Sequence, residues 1–184
     1  VTLGEERTAV PGFLLAANEV SNAEYNAFVA YARASGNIEL LAIALPDTDQ
    51  WLQPTTFQEP LRVWYHAHPA YANYPAVNMS HAGAEAYCRW MQDRMNAEAP
   101  SNTRYEVRLP SRLEWLRAAN GDLAVGPYAW GGPYLRNAKG CYLCNYSRVG
   151  GERVERDPET GKLQVVTWKE AGSPVMGAAG ALAD

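Results

Sequence analysis

The strongest pattern along the chain is a helical hydrophobic period behind a capped start, and it occurs three times. In SNAEYNAFVAYARASG (21–36), Tyr25, Phe28, Val29 and Ala32 recur at i, i+3, i+4 and i+7, which places them on one helix face. Ser21 and Glu24 have the spacing of a capping box, and Gly36 sits where a helix can close. SHAGAEAYCRWMQDRMN (80–96) reads as the best helix, with Ser80 as its cap and Ala84, Tyr87, Cys88, Met91 and Met95 as its buried stripe. In RLPSRLEWLRAANG (108–121), Pro110 keeps Leu109 out of the helical region, and Ser111 with Glu114 forms a second capping box. Leu113, Leu116 and Ala119 or Ala118 then share a stripe, and Gly121 closes the helix. Glu114 is read as a capping residue and Trp115 as core, so Trp115→Ala is expected to cost about 3–5 kcal/mol.

The segments between these helices are less regular. AVPGFLLAANEV (9–20) reads as extended with a turn at Pro11-Gly12, and NIELLAIAL (37–45) fits either a helix or a strand. YEVRL (105–109) alternates like a short strand. Residues 46–79 are rich in Pro and aromatics, including Trp51, Phe57, Trp64, Tyr65, Tyr71 and Tyr74. That is too hydrophobic for a linker, so the region is expected to be an ordered, mostly irregular excursion packed on the domain. After Gly121 the turn formers of GPYAWGGPY dominate. VGGERVERDPETG, followed by LQVV, reads as a charged hairpin and its returning strand.

Composition narrows the class. The chain has 184 residues, 47% hydrophobic and 20% charged, which suits a globular domain rather than a disordered chain. No repeat or composition shift divides it, so residues 1–184 are expected to form a single domain. A net charge of −4 argues against a nucleic-acid surface. No apolar run approaches the ~18 residues of a membrane span. The six Trp and eleven Tyr against three Phe give an aromatic set with polar handles, suited to irregular cores and recognition surfaces. The chain starts at Val1 and is expected to be a mature or trimmed piece.

Three segments taken in order carry a family resemblance: EVSNAEYNAFV (19–29), YPAVNMSHAGAEAYCRWM (74–91), and RLPSRLEWLRAANG followed by YAWGG (108–132). Together they resemble the formylglycine-generating-enzyme/sulfatase-modifying-factor domain over roughly residues 9–146. ALPDTDQW, FQEPL, HPAYANYPAV and NAKGCYLCNYSR further resemble the branch that includes the gliding-motility lipoproteins of the type IX secretion machinery. The resemblance implies an α+β, C-type-lectin-like fold with little regular secondary structure. It also implies a domain incomplete at its C-terminal end, because the family's catalytic cysteine pair follows a Gly-Asn-Val-Trp-Glu-Trp motif that does not occur before Asp184. His81 stands where the family usually has Trp, and Arg112-Leu113 where it has Glu-Ala.

Candidate chemistry is sparse. Cys141-x-x-Cys144 could be a redox pair, half of a metal site, or a structural or disulfide-linked loop. Redox use wants a helix N-terminus to stabilise the thiolate, and zinc would need two further ligands. Cys88 lies on a buried stripe and reads as core. His66-Ala-His68 has ligand-like spacing, but Pro69 and the aromatic context fit packing better. Arg153, Glu155, Arg156 and Asp157 read as a solvated hairpin face, with a partner contact as the sharper option. The resemblance places a structural calcium site at Asn145 and Tyr146, with Asp184 as a further oxygen ligand; a plain turn-capping Asn is the alternative.

The function expected from the resemblance is a non-catalytic structural or interaction domain of a bacterial cell-envelope assembly. Its partners would be other envelope proteins, in the periplasm or at the outer membrane or cell surface of a Gram-negative organism. Any membrane attachment would come from a lipid anchor outside this chain, and no nucleic acid would be bound. One alternative is a fragment of a copper-dependent formylglycine-generating oxidase. The other is a lectin-like ligand-binding module.

Overall fold

A computed structural model describes residues 2–3, 6–7, 9–52, 58–121, 123, 128–134, 137–139, 143–144, 151–156, 161 and 163–168. Helix α1 spans Asn22–Ala34. Its capping box forms as the sequence predicts: the Ser21 side chain accepts from the Glu24 N–H, and the Ser21 N–H donates to Glu24 Oε2 at 2.8 Å. Tyr25, Phe28, Val29 and Ala32 are buried, together with Asn22. The ambiguous segment after it is helical. Helix α2 spans Ile38–Ala44, because the Asn37 side chain caps it by accepting from the Leu40 N–H.

Helix α4 spans His81–Glu98, capped by the Ser80 hydroxyl. Its buried stripe differs from the expected one. Gly83, Ala86, Tyr87 and Cys88 are buried, Met91 is half-buried, and Met95 is exposed. Gly83 rather than Ala84 meets the neighbouring helix, so the contact line is shifted by one residue at the N-terminal end. Helix α2 packs against both α1 and α4. Phe28 at their centre makes edge contacts with Tyr25 and Tyr87 at 5.7 and 5.9 Å, and a tilted contact with Trp90 at 5.7 Å. Each such pair adds about 0.5–1.5 kcal/mol beyond area burial.

Phe57 lies outside the described residues, and the described residues of the excursion between α2 and α4 are built from short turns. These are a 3₁₀ turn at Thr48–Trp51, helix α3 at Glu59–Trp64 and a second 3₁₀ turn at Pro69–Tyr71. It is tied to α1 by backbone. Asn22 N–H donates to Tyr74 O at 2.8 Å, Ala23 N–H to Ala72 O at 2.9 Å, and Ala76 N–H to Val20 O at 2.7 Å.

Residues 105–109 do not join a sheet. They show strand-like alternation, with Tyr105 and Val107 half-buried and Glu106 and Arg108 exposed. Side-chain amides of α4 bond their backbone in place of a neighbouring strand. Tyr105 N–H donates to Asn96 Oδ1 at 2.8 Å and its carbonyl accepts from Asn96 Nδ2 at 2.9 Å. Val107 N–H donates to Gln92 Oε1 at 3.0 Å.

Helix α5 spans Arg112–Asn120 with its predicted capping box and with Gly121 at φ 54°. The expected core role of Trp115 is overturned, since its side chain is 57% exposed. The inward positions of this short helix are Leu113, Glu114, Leu116 and Ala119, and Trp115 points away from them. Trp115→Ala is therefore expected to change stability by no more than about 0.5 kcal/mol, as for other exposed sites. A thermal melt checks this, and a loss of several kcal/mol would restore the core reading.

Two antiparallel strand pairs complete the described elements. Strands β1 (Thr2–Leu3) and β2 (Glu6–Arg7) form one, and β3 (Gly151–Arg156) and β4 (Leu163–Trp168) form the other. The β3–β4 register runs from Gly151 opposite Trp168 to Arg156 opposite Leu163, the hairpin the sequence predicts. Regular structure among the described residues is otherwise helical, so any α+β character there rests on these two pairs alone.

Candidate functional site

The densest group of polar and aromatic side chains lies where α1 meets the excursion. Asn22 is 2% exposed at the first turn of α1. Its Nδ2 donates to the carbonyls of Tyr65 and Tyr71, each at 3.0 Å. Because those two acceptors claim the amide nitrogen, the Asn22 Oδ1 faces His66 Nδ1 at 3.2 Å. A carbonyl oxygen can only accept, so neutral His66 carries its proton on Nδ1. Asn26 Nδ2 donates to the His66 carbonyl at 2.7 Å. Three bonds from one side chain thus hold both ends of the turn from Tyr65 to Tyr71.

Aromatic rings enclose this node. Tyr65 is 1% exposed and packs on Trp51 at 4.9 Å, on His66 at 5.1 Å and on Tyr71 at 5.4 Å. Its hydroxyl donates to Pro75 O at 2.8 Å. Burial first, and then the neighbouring Tyr74 and Tyr71, push the phenol up to about 12, so it does not ionise near neutrality. Burial lowers the pKa of His66, whose Nε2 is buried without a hydrogen-bond partner. His68 is occupied differently: its Nδ1 accepts from the Ala70 N–H at 3.1 Å and caps the following turn. The structure therefore turns the two histidines to separate tasks, and no group of three or more metal-ligating side chains occurs among the described residues.

A second cluster precedes α5. Arg108 clasps Glu114 through two parallel bonds, Nη1 to Oε2 at 2.8 Å and Nη2 to Oε1 at 2.7 Å. The Ser111 N–H donates to the same Oε2 at 2.7 Å. Arg108 first, then the Ser111 N–H and hydroxyl, hold the Glu114 carboxyl down at about 2. A carboxyl depressed in the folded state stabilises above its ordinary value of 4.5, and that contribution is lost as pH falls toward 2. The wild-type melting temperature should fall over that window, and Glu114→Gln should flatten the fall. Equal slopes in a pH series of melts would show that the clasp is not the source. Glu114 is thus the structural cap the sequence predicts, and its Arg108 partner is an addition that no local spacing rule signals.

The third group is open to solvent. Tyr128 and Trp130 stack at 4.8 Å with ring planes 8° apart, and Trp130 Nε1 donates to Tyr134 O at 2.8 Å. Tyr134 is 75% exposed. Among the thiols, Cys88 is buried on α4 as expected, and burial raises its pKa, which leaves it inert. Cys144 is a half-buried free thiol. Cys141 and the expected calcium ligands Asn145, Tyr146 and Asp184 lie outside the described residues, as does Asp157.

Asn22, Asn26, His68 and Glu114 thus bond backbone groups, while Trp64, Trp115 and Tyr134 face outward. In a comparison with known families, residues 3–171 match the model described as the sulfatase-modifying factor enzyme 1-like domain. Neither the curated proteins nor the solved structures yield a match.

Proposed function

We infer the role of this chain from one premise: it belongs to the sulfatase-modifying factor enzyme 1-like domain family. Within that family we propose that it works as a structural or interaction domain rather than as the oxidase. The observation that carries this reading is the outward placement of large rings on a helical frame. Trp64 is 52% exposed, and Trp115 and Tyr134 more so, although burying such rings usually stabilises a domain. Exposed Trp and Tyr are the side chains that concentrate binding energy at protein interfaces.

The finer reading is a component of a bacterial envelope assembly of the gliding-motility or type IX secretion kind, with a C-type-lectin-like α+β body. It is supported by the excursion between α2 and α4, whose sequence resembles that branch. The same reading includes a structural calcium held by Asn145, Tyr146 and Asp184. Saturating calcium would then raise the melting temperature and a chelator would reverse it.

Affinity purification from native envelopes, followed by mass spectrometry, tests the proposal. Envelope proteins should co-purify with the wild type and be lost with a Trp64→Ser/Trp115→Ser variant whose circular dichroism is unchanged. Two results would overturn it. One is equal recovery by both forms, and the other is copper-dependent conversion of a cysteine peptide to its aldehyde by the purified protein.

A further inference from the structure

The Asn22–His66 node has a property that neither the family nor the proposed interaction role requires. With Nδ1 donating to Asn22 Oδ1, the remaining lone pair of His66 sits on Nε2, a buried atom without a partner. Protonation there would place a second N–H, and a charge, where no acceptor lies among the described residues. Opening the segment relieves that penalty, because water then reaches the ring. We infer that His66 is an acid-released clasp: it holds residues 65–74 against α1 in its neutral form and lets them open when the imidazole takes up a proton.

The surroundings of the ring agree. Among the described residues, Asn22 of α1 bonds the ring and Asn26 the His66 carbonyl, neither titratable, and the ring that packs on it is that of Tyr65, which stays neutral at acid and neutral pH. Burial alone lowers the His66 pKa from 6.5, so no charged side chain from a neighbouring element offsets the effect. The sign follows from linkage. A base whose pKa is depressed in the closed form leaves the open form binding more protons as pH drops below 6.5. The closed form is favoured above that pH and progressively less so beneath it. One linked proton makes the opening constant rise up to about tenfold per pH unit, until the closed form itself protonates.

Amide hydrogen exchange on the folded protein reads this directly. The amides of Asn22 and Ala23 close the bonds from α1 to the carbonyls of Tyr74 and Ala72 that the clasp holds. Their protection factors, corrected for intrinsic exchange, should fall severalfold to about tenfold between pH 6.5 and 5.5, while amides inside α4 stay flat. His66→Gln should remove that dependence and His68→Gln should keep it. Unchanged protection in the wild type, or the same fall in His66→Gln, overturns the inference. Should His66→Gln not fold, the imidazole titration of the wild type by NMR decides. A His66 midpoint below 6.5 supports the clasp, and one at or above 6.5 refutes it.

Discussion

Asn22→Ala should destabilise the protein by about 4 kcal/mol. The change removes little volume, so a cavity is not the main cause. It removes the bonds to the carbonyls of Tyr65 and Tyr71, the second of which keeps the Tyr74 N–H, and takes away the acceptor that faces the Nδ1–H of His66. A lost hydrogen bond costs about 0.5–1.5 kcal/mol, and a buried donor left without its acceptor, as on His66, about 1–3 kcal/mol. Asn22→Asp separates bonding from packing. It keeps the shape but turns an acceptor toward two carbonyl oxygens, so it should cost at least as much as alanine. Denaturant unfolding measures both. An aspartate variant near wild-type stability would show that the node is held by packing and not by the amide.

Gly83→Ala should cost about 2 kcal/mol net. Helix α4 meets the C-terminal end of α2 at this glycine. A methyl group there would overlap the Ile43 carbonyl oxygen and come within 2.9 Å of Tyr25 Oη and 3.3 Å of Ser80 Oγ. The carbonyl belongs to backbone and cannot swing aside, so the helices must part. Overpacking of this kind costs up to about 3 kcal/mol, against about 1 kcal/mol gained from the better helix propensity of alanine. The Tyr25 hydroxyl is itself buried without a partner. Tyr25→Phe alone should therefore be near neutral, and combined with Gly83→Ala it should recover part of the loss. Strict additivity in that double-mutant cycle would place the strain on the carbonyl alone.

The helices with two local signals were legible in the sequence. A capping box plus a period set α1 and α5, and the Ser80 cap plus a period set α4, within a residue or two, and Asn37 explains why the ambiguous 37–45 segment became a helix. Failures came where the deciding partner lies far along the chain. YEVRL has the alternation of a strand, but Gln92 and Asn96 of α4 bond it from the side. Trp115 looked buried because tryptophans usually are, whereas the inward wedge of α5 is taken by a carboxylate that Arg108 neutralises. Of the site, the aromatic excursion was visible as composition. The Asn22 node was not, since no spacing rule ties residue 22 to residues 65, 66 and 71. Gly83 did carry a warning, for a glycine inside a helical pattern asks for a close neighbour.

The amides of α4 that bond residues 105 and 107 have one more effect. An extended segment beside a helix ordinarily offers its main chain to any passing strand, the route by which separate molecules zip together. Here Tyr105 has both of its main-chain groups engaged from within, and Val107 its N–H. A shift of the segment by one place would break all of these bonds at once while turning the half-buried Tyr105 and Val107 outward. The stretch is thus locked against slippage and shielded from intermolecular stacking by two ordinary side chains one helical turn apart.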